Sequence, residues 1–447
     1  MLPTAKSTGA MVDAPHTHLA DTIADVPTSA PDDALDLDED EDERRARRRP
    51  APRDLVDDWA VPILAFWAVR LVGVAVLARF ADLRGTSLPA ALQLWDGKWM
   101  LAIAQYGYGA VPATHTDAYG VHTPDTALAF FPGYPYLVAA IAKLPGLNTY
   151  GAAILVTVAT GALAAVATAR IGRWCARAMM GCDVDDARAR TAGLVLLVLF
   201  AAAPMGVVLS MAYTEALFCA TVAWSLVGVL EKRWLLAGLA AMAAGLIRPT
   251  GVVLIAVVVV AAFVAAAGIL HRKPEGRRPE RGTWRAWAAI LIAPLGYLGY
   301  LGFVWRRTGS PLGWFDIQTA GWGTEFDWGR ETFRFVNQTL TSSAEVAPVA
   351  TALVILATLA LIGINIVART PWPIVAYGTL VTVTILASSG LMMSRARLLL
   401  PAFVLLVPIA NLLARQRPAV RNAVLAGVVA VSSWFGAHML TVYPHAM

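Results

Sequence analysis

Long apolar runs without charged side chains constrain this fold more than any other feature of the sequence. Residues 191–214, 251–270 and 370–394 contain no Asp, Glu, Lys or Arg. A helix needs about 20 apolar residues to cross the hydrocarbon core of a bilayer, and a charge at mid-membrane costs roughly 2.5–3.5 kcal/mol on insertion scales. The runs therefore predict an all-α integral membrane protein, a polytopic bundle of about 11–12 transmembrane helices.

The overall composition supports the same conclusion. Hydrophobic residues make up 57% of the chain and charged residues only 15%. Soluble domains carry about 25% charged residues, so the composition excludes a soluble enzyme. We expect membrane lipids among the partners and no nucleic acid.

The first 58 residues differ in composition from the rest of the chain. They are rich in Pro, Asp, Thr and Ala, and an acidic run at 36–43 precedes five arginines between 44 and 49. Such a segment cannot bury an apolar core, which predicts a disordered tail at 1–58 and a membrane domain at 59–447. Because basic residues beside a span stay in the cytoplasm, we expect a cytoplasmic N-terminus.

The same positive-inside rule orients the remaining segments. The predicted spans are 60–79, 150–170, 191–209, 213–230, 234–248, 251–270, 286–305, 346–368, 372–392, 396–414 and 421–440. The first outer loop (80–127) and the Trp-rich loop (306–345) face outward, where Arg306 and Arg307 break the rule. Segment 128–145 contains three prolines and fits as a half-helix. A full crossing would reverse the next span, and both possibilities stay open.

Polar side chains gather at one face of this topology. The clusters are 95–97 in the first outer loop and 210–215, 248–251 and 394–397 at later outer turns. Polar groups at membrane depth usually have a function. Each cluster also has a simpler interpretation: Asp96 is solvated, and Glu215 forms a structural ion pair with Arg248. Arg395 and Arg397 then anchor the chain at lipid headgroups.

The combination of these groups indicates a specific chemistry. Arg binds phosphate bidentately, and a carboxylate at the same surface can take the proton of an attacking hydroxyl. Carboxylate and Arg at the mouth of a helix bundle therefore suit sugar transfer from a lipid phosphate, with Arg stabilising the phosphate leaving group.

Several motifs carry a family resemblance. Two blocks resemble the signature of the PIG-V-like mannosyltransferase family: LWDGKWMLAIAQYGY at 94–108 and FFPGYPYLV at 130–138. The family's next two blocks match SMAYTEALF at 210–218 and GLIRPTG at 245–251. Its bacterial branch resembles this chain at TGSPLGWFDIQTAGWG, 308–323, and SRARLLLPAF, 394–403.

The resemblance implies a GT-C-type glycosyltransferase that uses polyprenyl-phosphate mannose as its donor on the non-cytoplasmic face. It assigns Asp96 as the catalytic base. The residues that it assigns to substrate binding are Trp95, Tyr134, Tyr213, Glu215, Arg248, Arg395, Arg397, Gln318 and Trp322. Arg397 and Leu398 stand where related enzymes often have an Arg-Tyr or Arg-Phe pair. Whether Arg395 or Arg397 meets the donor phosphate therefore stays open.

A metal site is not predicted, although a divalent cofactor stays possible because some GT-C enzymes need one. The candidate ligands in the first outer loop are His115, Asp117, His122 and Asp125. Their spacing matches no strong ligand pattern. Trp314, Trp322 and Trp328 in the second outer loop either stack on a sugar or anchor at the membrane interface.

Two other functions are compatible with the sequence. A transporter or flippase for lipid-linked sugars needs the same groups but usually has paired repeats and broken helices at the midplane, and we find no internal repeat. A non-catalytic subunit of a glycosylation complex needs only the fold. For the enzyme, the acceptor is a lipid, a glycan or a protein.

Overall fold

The computed structural model describes residues 56–181, 185–268 and 283–443. Within them it is all helical apart from one isolated antiparallel bridge between Phe326 and Ser388, which confirms the all-α prediction. Most of the predicted tail and of the basic loop after 270 lies outside the described residues. Residues 56–58, assigned to the tail, instead form part of a π-helical turn, Val56–Ala60, that leads into the first span.

Helices of eight or more residues account for most of the described chain. They are α1 Val61–Leu83, α2 Asp96–Tyr106, α3 Gly133–Ile141, α4 Thr149–Met180, α5 Asp186–Ala201, α6 Glu215–Leu230, α7 Trp234–Gly245, α8 Gly251–Ala266, α9 Thr283–Ile292, α10 Leu295–Thr308, α11 Gly313–Trp322, α12 Arg330–Ser342, α13 Val346–Val367, α14 Trp372–Leu386, α15 Val407–Ala414 and α16 Pro418–Thr441.

Five helices are long and apolar enough to cross a membrane. They are Val56–Leu83, Thr149–Met180, Trp284–Thr308 (α9 and α10 taken together), Val346–Val367 and Pro418–Thr441. The bent pair Met392–Leu398 and Leu400–Ala414, with a 53° bend, makes a sixth when it is counted as one span. The chain is a multi-pass membrane protein, as predicted.

Four further apolar helices are shorter than a bilayer. Helices α6, α7, α8 and α14 contain 12–16 residues and reach about 18–24 Å, against a hydrocarbon core of about 30 Å. Irregular backbone precedes α6 at 211–214, joins α7 to α8 at 246–250 and follows α14 at 387–391. At membrane depth such backbone is stable only inside protein or beside a water-filled cavity. The predicted full-length spans in these regions are thus replaced by short helices and polar turns.

Helix α3 is the helical part of the segment left open above. It has nine residues, about 14 Å of helix, which is too short to cross a hydrocarbon core of about 30 Å. Its first residue approaches another turn closely: the Gly133 N–H donates to the Leu246 carbonyl at 2.7 Å. A Cβ at Gly133 would lie 2.8 Å from that oxygen, so only glycine fits.

The core forms where small residues let helix backbones approach. At the crossing of α4 and α5, a Cβ on Gly193 would lie 2.3 Å from the Ala169 carbonyl, and one on Gly172 would lie 2.8 Å from the Gly193 Cα. Close backbone contact of this kind stabilises helix pairs in membranes, where lipid removes the hydrophobic driving force. The buried face of α4 is accordingly rich in Ala, Gly and Thr.

The two predicted outer loops contain helices and pack on each other. Residues 80–127 include α2, and 306–345 include α11 and α12. The Trp314 indole and the Gln318 amide both donate to the Ala129 carbonyl, at 3.3 and 3.0 Å. Tyr108 donates to the Phe130 carbonyl at 2.7 Å, and burial raises the pKa of its hydroxyl, which keeps it protonated as a donor.

Candidate active site

Four charged side chains from distant parts of the chain meet at the turns beside the short helices. Arg397 Nη1 lies 2.6 Å from Asp96 Oδ2, and its Nε lies 3.8 Å from Glu215 Oε1. Arg248 Nη1 contacts the same Glu215 oxygen at 2.6 Å. We call Asp96, Glu215, Arg248 and Arg397 the ion-pair cluster. The sequence predicted that Asp96, Glu215 and Arg248 converge with Arg395. The structure brings the first three together with Arg397 instead.

The members of the cluster differ in burial. The side chain of Glu215 is 1% exposed, Arg397 7% and Arg248 12%, whereas Asp96 is 37% exposed. Glu215 is therefore enclosed between two guanidinium groups. Asp96 is the carboxylate that a ligand can reach.

The backbone before α2 places this carboxylate. Trp95 has φ 54° and ψ −121°, a conformation that normally requires glycine. Strain of this kind costs about 1–3 kcal/mol and concentrates at functional sites. It sets Asp96 as the first residue of α2. The Trp95 indole N–H is buried and has no hydrogen-bond partner in the described part of the chain.

The segment 92–97 is hydrogen-bonded to the segment around Tyr213. The Ala212 N–H donates to the Leu92 carbonyl at 3.0 Å, and the Tyr213 hydroxyl donates to the Leu94 carbonyl at 2.8 Å. A Cβ at Gly97 would lie 3.2 Å from the Tyr213 ring. The Arg397 guanidinium lies over that ring, 5.3 Å from its centroid. Tyr213 is thus the platform on which the Arg397–Asp96 pair rests.

Tyr134 lies behind the cluster. It is fully buried, and its hydroxyl is 3.2 Å from both the Ala153 carbonyl and Thr157 Oγ1. Thr157 in turn donates to the Met211 carbonyl at 2.9 Å. Together with the hydrogen bond from Gly133 to Leu246, these contacts of the 130–138 segment hold the two turns that carry Tyr213 and Arg248. The structure gives Tyr134 a supporting position rather than one on the accessible side of Asp96.

Arg395 differs from Arg397 in its partners. It is buried, and its Nη2 donates to the Ser388 and Ser389 carbonyls, the latter at 2.8 Å. It forms no ion pair with a carboxylate in the described residues, and its Nε and the neighbouring Ser394 hydroxyl have no hydrogen-bond partner there. Arg397 is thus paired with two carboxylates, whereas Arg395 is held by backbone carbonyl oxygens.

Trp322 and Gln318 lie on the aromatic side of α2. Trp322 contacts Trp99 and Phe130, with ring centroids 6.4 and 5.6 Å apart. Trp99 follows Asp96 by three residues and therefore shares its face of α2. Gln318 uses its amide to bind the Ala129 carbonyl. Trp322 is linked to Asp96 through Trp99 on α2, whereas the partner of Gln318 lies outside α2.

The sequence analysis missed Arg70, which lies within the first span. Its side chain is buried, with Nε donating to Ser210 Oγ at 3.0 Å and Nη1 to the Ala201 carbonyl at 2.9 Å. It fixes the turn that leads to Tyr213. The signal was available, because Arg70 is a charged residue ten positions into an otherwise apolar run, 61–78.

The candidate metal ligands of the first outer loop contact groups of the protein itself. His122 Nδ1 lies 2.6 Å from the His115 carbonyl oxygen, and Asp117 accepts two backbone N–H bonds within its own turn. Asp125 lies 3.9 Å from Arg307. Across the described ranges, no three His, Cys, Asp or Glu side chains are grouped as a metal site would require.

Comparisons with known proteins place the chain far from characterised sequences. No protein-family model matches it, and no curated protein matches it. Among solved structures 11 chains match. ArnT from Cupriavidus metallidurans, bound to undecaprenyl phosphate, has 14% identity and a TM-score of 0.47, over 85% of this chain and 69% of its own.

Two further matches are oligosaccharyltransferase structures from Archaeoglobus fulgidus. The apo form has 12% identity and a TM-score of 0.38 over 85% of this chain. AglB, in complex with an inhibitory peptide and a dolichol-phosphate, has 11% identity and a TM-score of 0.40 over 84%. This chain spans 56% of the length of each. Similarity at this level assigns no activity, and the PIG-V-like resemblance stays a prediction from motifs.

Proposed function

We propose that this chain is a membrane glycosyltransferase that moves a hexose from a polyprenyl-phosphate sugar to an acceptor hydroxyl on the non-cytoplasmic face. One observation carries the proposal: a reachable carboxylate, Asp96, is held by the buried Arg397 guanidinium, which also contacts the buried Glu215. Mannose as the hexose rests on the motif resemblance.

Asp96 acts as the base in this proposal. Its Oδ2 is held by Arg397, and its carboxylate takes the proton of the acceptor hydroxyl as the acceptor oxygen bonds to the sugar's anomeric carbon. The bond from that carbon to the phosphate oxygen breaks, and the phosphate leaves with the electron pair. Transfer is therefore a single displacement whose developing negative charge must be stabilised at the phosphate.

Arg395 is our candidate for the donor phosphate. It forms no ion pair with a carboxylate in the described residues, whereas Arg397 forms two. Four buried polar atoms near these segments have no hydrogen-bond partner in the described chain: Trp95 Nε1, Ser394 Oγ, Arg395 Nε and Arg397 Nε, the last of which lies 3.8 Å from Glu215 Oε1. An unpartnered buried donor costs about 1–3 kcal/mol. A ligand rich in acceptors, such as a sugar phosphate, would compensate that cost.

The test is a transfer assay in membranes with labelled polyprenyl-phosphate mannose. We expect Asp96→Asn to lower the transfer rate by about 100-fold or more, the usual contribution of a general base. Asp82→Asn is the matched control, because Asp82 pairs with Arg79 on the exposed surface. Undiminished transfer by Asp96→Asn contradicts the proposed base.

The same assay tests the sugar and the alternative function. Polyprenyl-phosphate glucose should transfer more slowly than the mannose donor if the motif resemblance holds. Wild-type protein that moves intact donor between leaflets without forming product would instead indicate the transporter.

A further inference from the structure

Helix α10 turns one continuous face away from the rest of the protein. Leu295 and Leu298 on this side are 56% and 58% exposed. A Cβ built on Gly299 or Gly302 meets no heavy atom within 4 Å. Residues 295, 298 and 302 follow helical spacing within α10, so they form one exposed strip.

A groove of about 740 Å³ opens at the end of this strip. Its lining residues are Gly299, Gly302, Phe303, Trp305, Arg306 and Arg307. The two glycines leave open the space that a side chain would otherwise fill, and the exposed rings of Phe303 and Trp305 form its borders. The groove is therefore apolar along the helix and basic at its end.

The charges at this end are not balanced. Arg307 Nε lies 3.9 Å from Asp125 Oδ1, a long contact, and Arg306 forms no ion pair within the described ranges. Two guanidinium groups face one carboxylate. These are also the two arginines that break the positive-inside rule, so selection for topology does not account for them.

The length of the strip indicates what occupies it. From Leu295 to Arg306 the helix rises about 16 Å, close to half of a hydrocarbon core of about 30 Å. A strip of this length matches the thickness of one leaflet, and its basic end suits the phosphate groups at the surface of that leaflet. A free anion would need only the basic end.

We propose that this groove binds an anionic phospholipid. Its phosphate contacts Arg306 and Arg307, and one acyl chain lies along Gly302, Leu298 and Leu295. The residues of this site are separate from the ion-pair cluster, and the proposal does not depend on the function proposed above.

Native mass spectrometry of the purified full-length protein tests the site. Phosphatidylglycerol is titrated against phosphatidylcholine, inorganic phosphate and polyprenyl phosphate. We expect preferential retention of phosphatidylglycerol, weakened about tenfold or more in the double variant Arg306→Gln/Arg307→Gln, because each surface arginine adds to the attraction of an anionic headgroup. Arg334→Gln is the matched control, since Arg334 is exposed and paired with Glu331.

A second variant separates a lipid from a small anion. Gly302→Leu fills the groove without a clash, since no heavy atom lies within 4 Å of its Cβ position, and it keeps both arginines. It should weaken phosphatidylglycerol binding as well. Equal retention of phosphatidylcholine, competition by inorganic phosphate with no effect of Gly302→Leu, or preference for polyprenyl phosphate would each overturn the proposal.

Discussion

Two groups of ion pairs in this protein use the same chemistry in different surroundings. The ion-pair cluster is mostly enclosed. The second group, the peripheral pairs, joins α4 and α5 to neighbouring segments. Its members are Arg170–Glu231, Arg173–Asp58, Arg177–Asp186 and Arg190–Asp57. At least one side chain in each peripheral pair is 36% exposed or more. In the ion-pair cluster Asp96 is similarly exposed at 37%, whereas Arg248 and Glu215 are only 12% and 1% exposed.

The difference in burial separates what the two groups contribute. Exposed ion pairs are worth about 0–1 kcal/mol, because water and salt screen them. A buried pair loses much of its attraction to desolvation, yet removing one partner is costly because a charge stays buried alone. The peripheral pairs therefore suit a structural role. The ion-pair cluster, which apolar residues could replace more stably, is better explained by function.

The largest expected effect comes from breaking each group at its carboxylate. Glu215→Gln leaves Arg248 and Arg397 with less compensating charge in a buried site. It should lower the free energy of unfolding by about 3–5 kcal/mol. Glu231→Gln in the peripheral pairs should lower it by about 0–1 kcal/mol. Denaturant unfolding in detergent compares the two, and equal losses would remove the distinction on which the comparison rests.

A smaller effect sharpens the roles of the two arginines near the C-terminal turn. Arg395→Lys keeps the charge but removes the planar fork that binds phosphate bidentately. We expect the dissociation constant of the lipid-phosphate donor to rise about tenfold, the loss of one good charge-assisted contact. Arg334→Lys, an exposed arginine, serves as control. Unchanged donor affinity in Arg395→Lys would contradict this role and favour Arg397 as the arginine that contacts the donor phosphate.

The smallest effect concerns Tyr134, which the motif resemblance assigned to the substrate. Tyr134→Phe removes a buried hydroxyl that contacts the Ala153 carbonyl and Thr157. Its loss should cost about 1 kcal/mol of unfolding free energy and leave the donor dissociation constant unchanged. Thermal unfolding and donor titration measure both. A large rise in the dissociation constant without loss of stability would show that Tyr134 contacts the donor.

Part of this site followed directly from the sequence. Apolar runs and basic loops place the polar clusters at one face, so Asp96, Glu215, Arg248 and Arg395 were predicted to converge. Arg397 takes the place of Arg395 in the observed cluster. Their pairing did not follow, because topology places residues at a membrane face but does not set distances within it. The choice between Arg395 and Arg397 needed the contacts of each guanidinium group.

Other features depended on three-dimensional packing that periodicity does not encode. Several predicted spans are short helices with irregular turns beside them, because uncharged composition continues through the turns at 246–247 and 387–393. Tyr134 is hidden behind α4, and nothing in its motif shows on which side its ring lies. Arg70 was a signal in the sequence itself, overlooked because one charge does not interrupt an otherwise strongly apolar run.

The central claim is that Asp96 performs chemistry at a site that other residues build. The direct measurement is donor binding and product formation on the same purified preparations of wild type and Asp96→Asn. The account predicts a donor dissociation constant within about threefold of wild type and a transfer rate lower by about 100-fold or more. Full transfer by Asp96→Asn would contradict it, as would a loss of donor binding large enough to explain the lost rate.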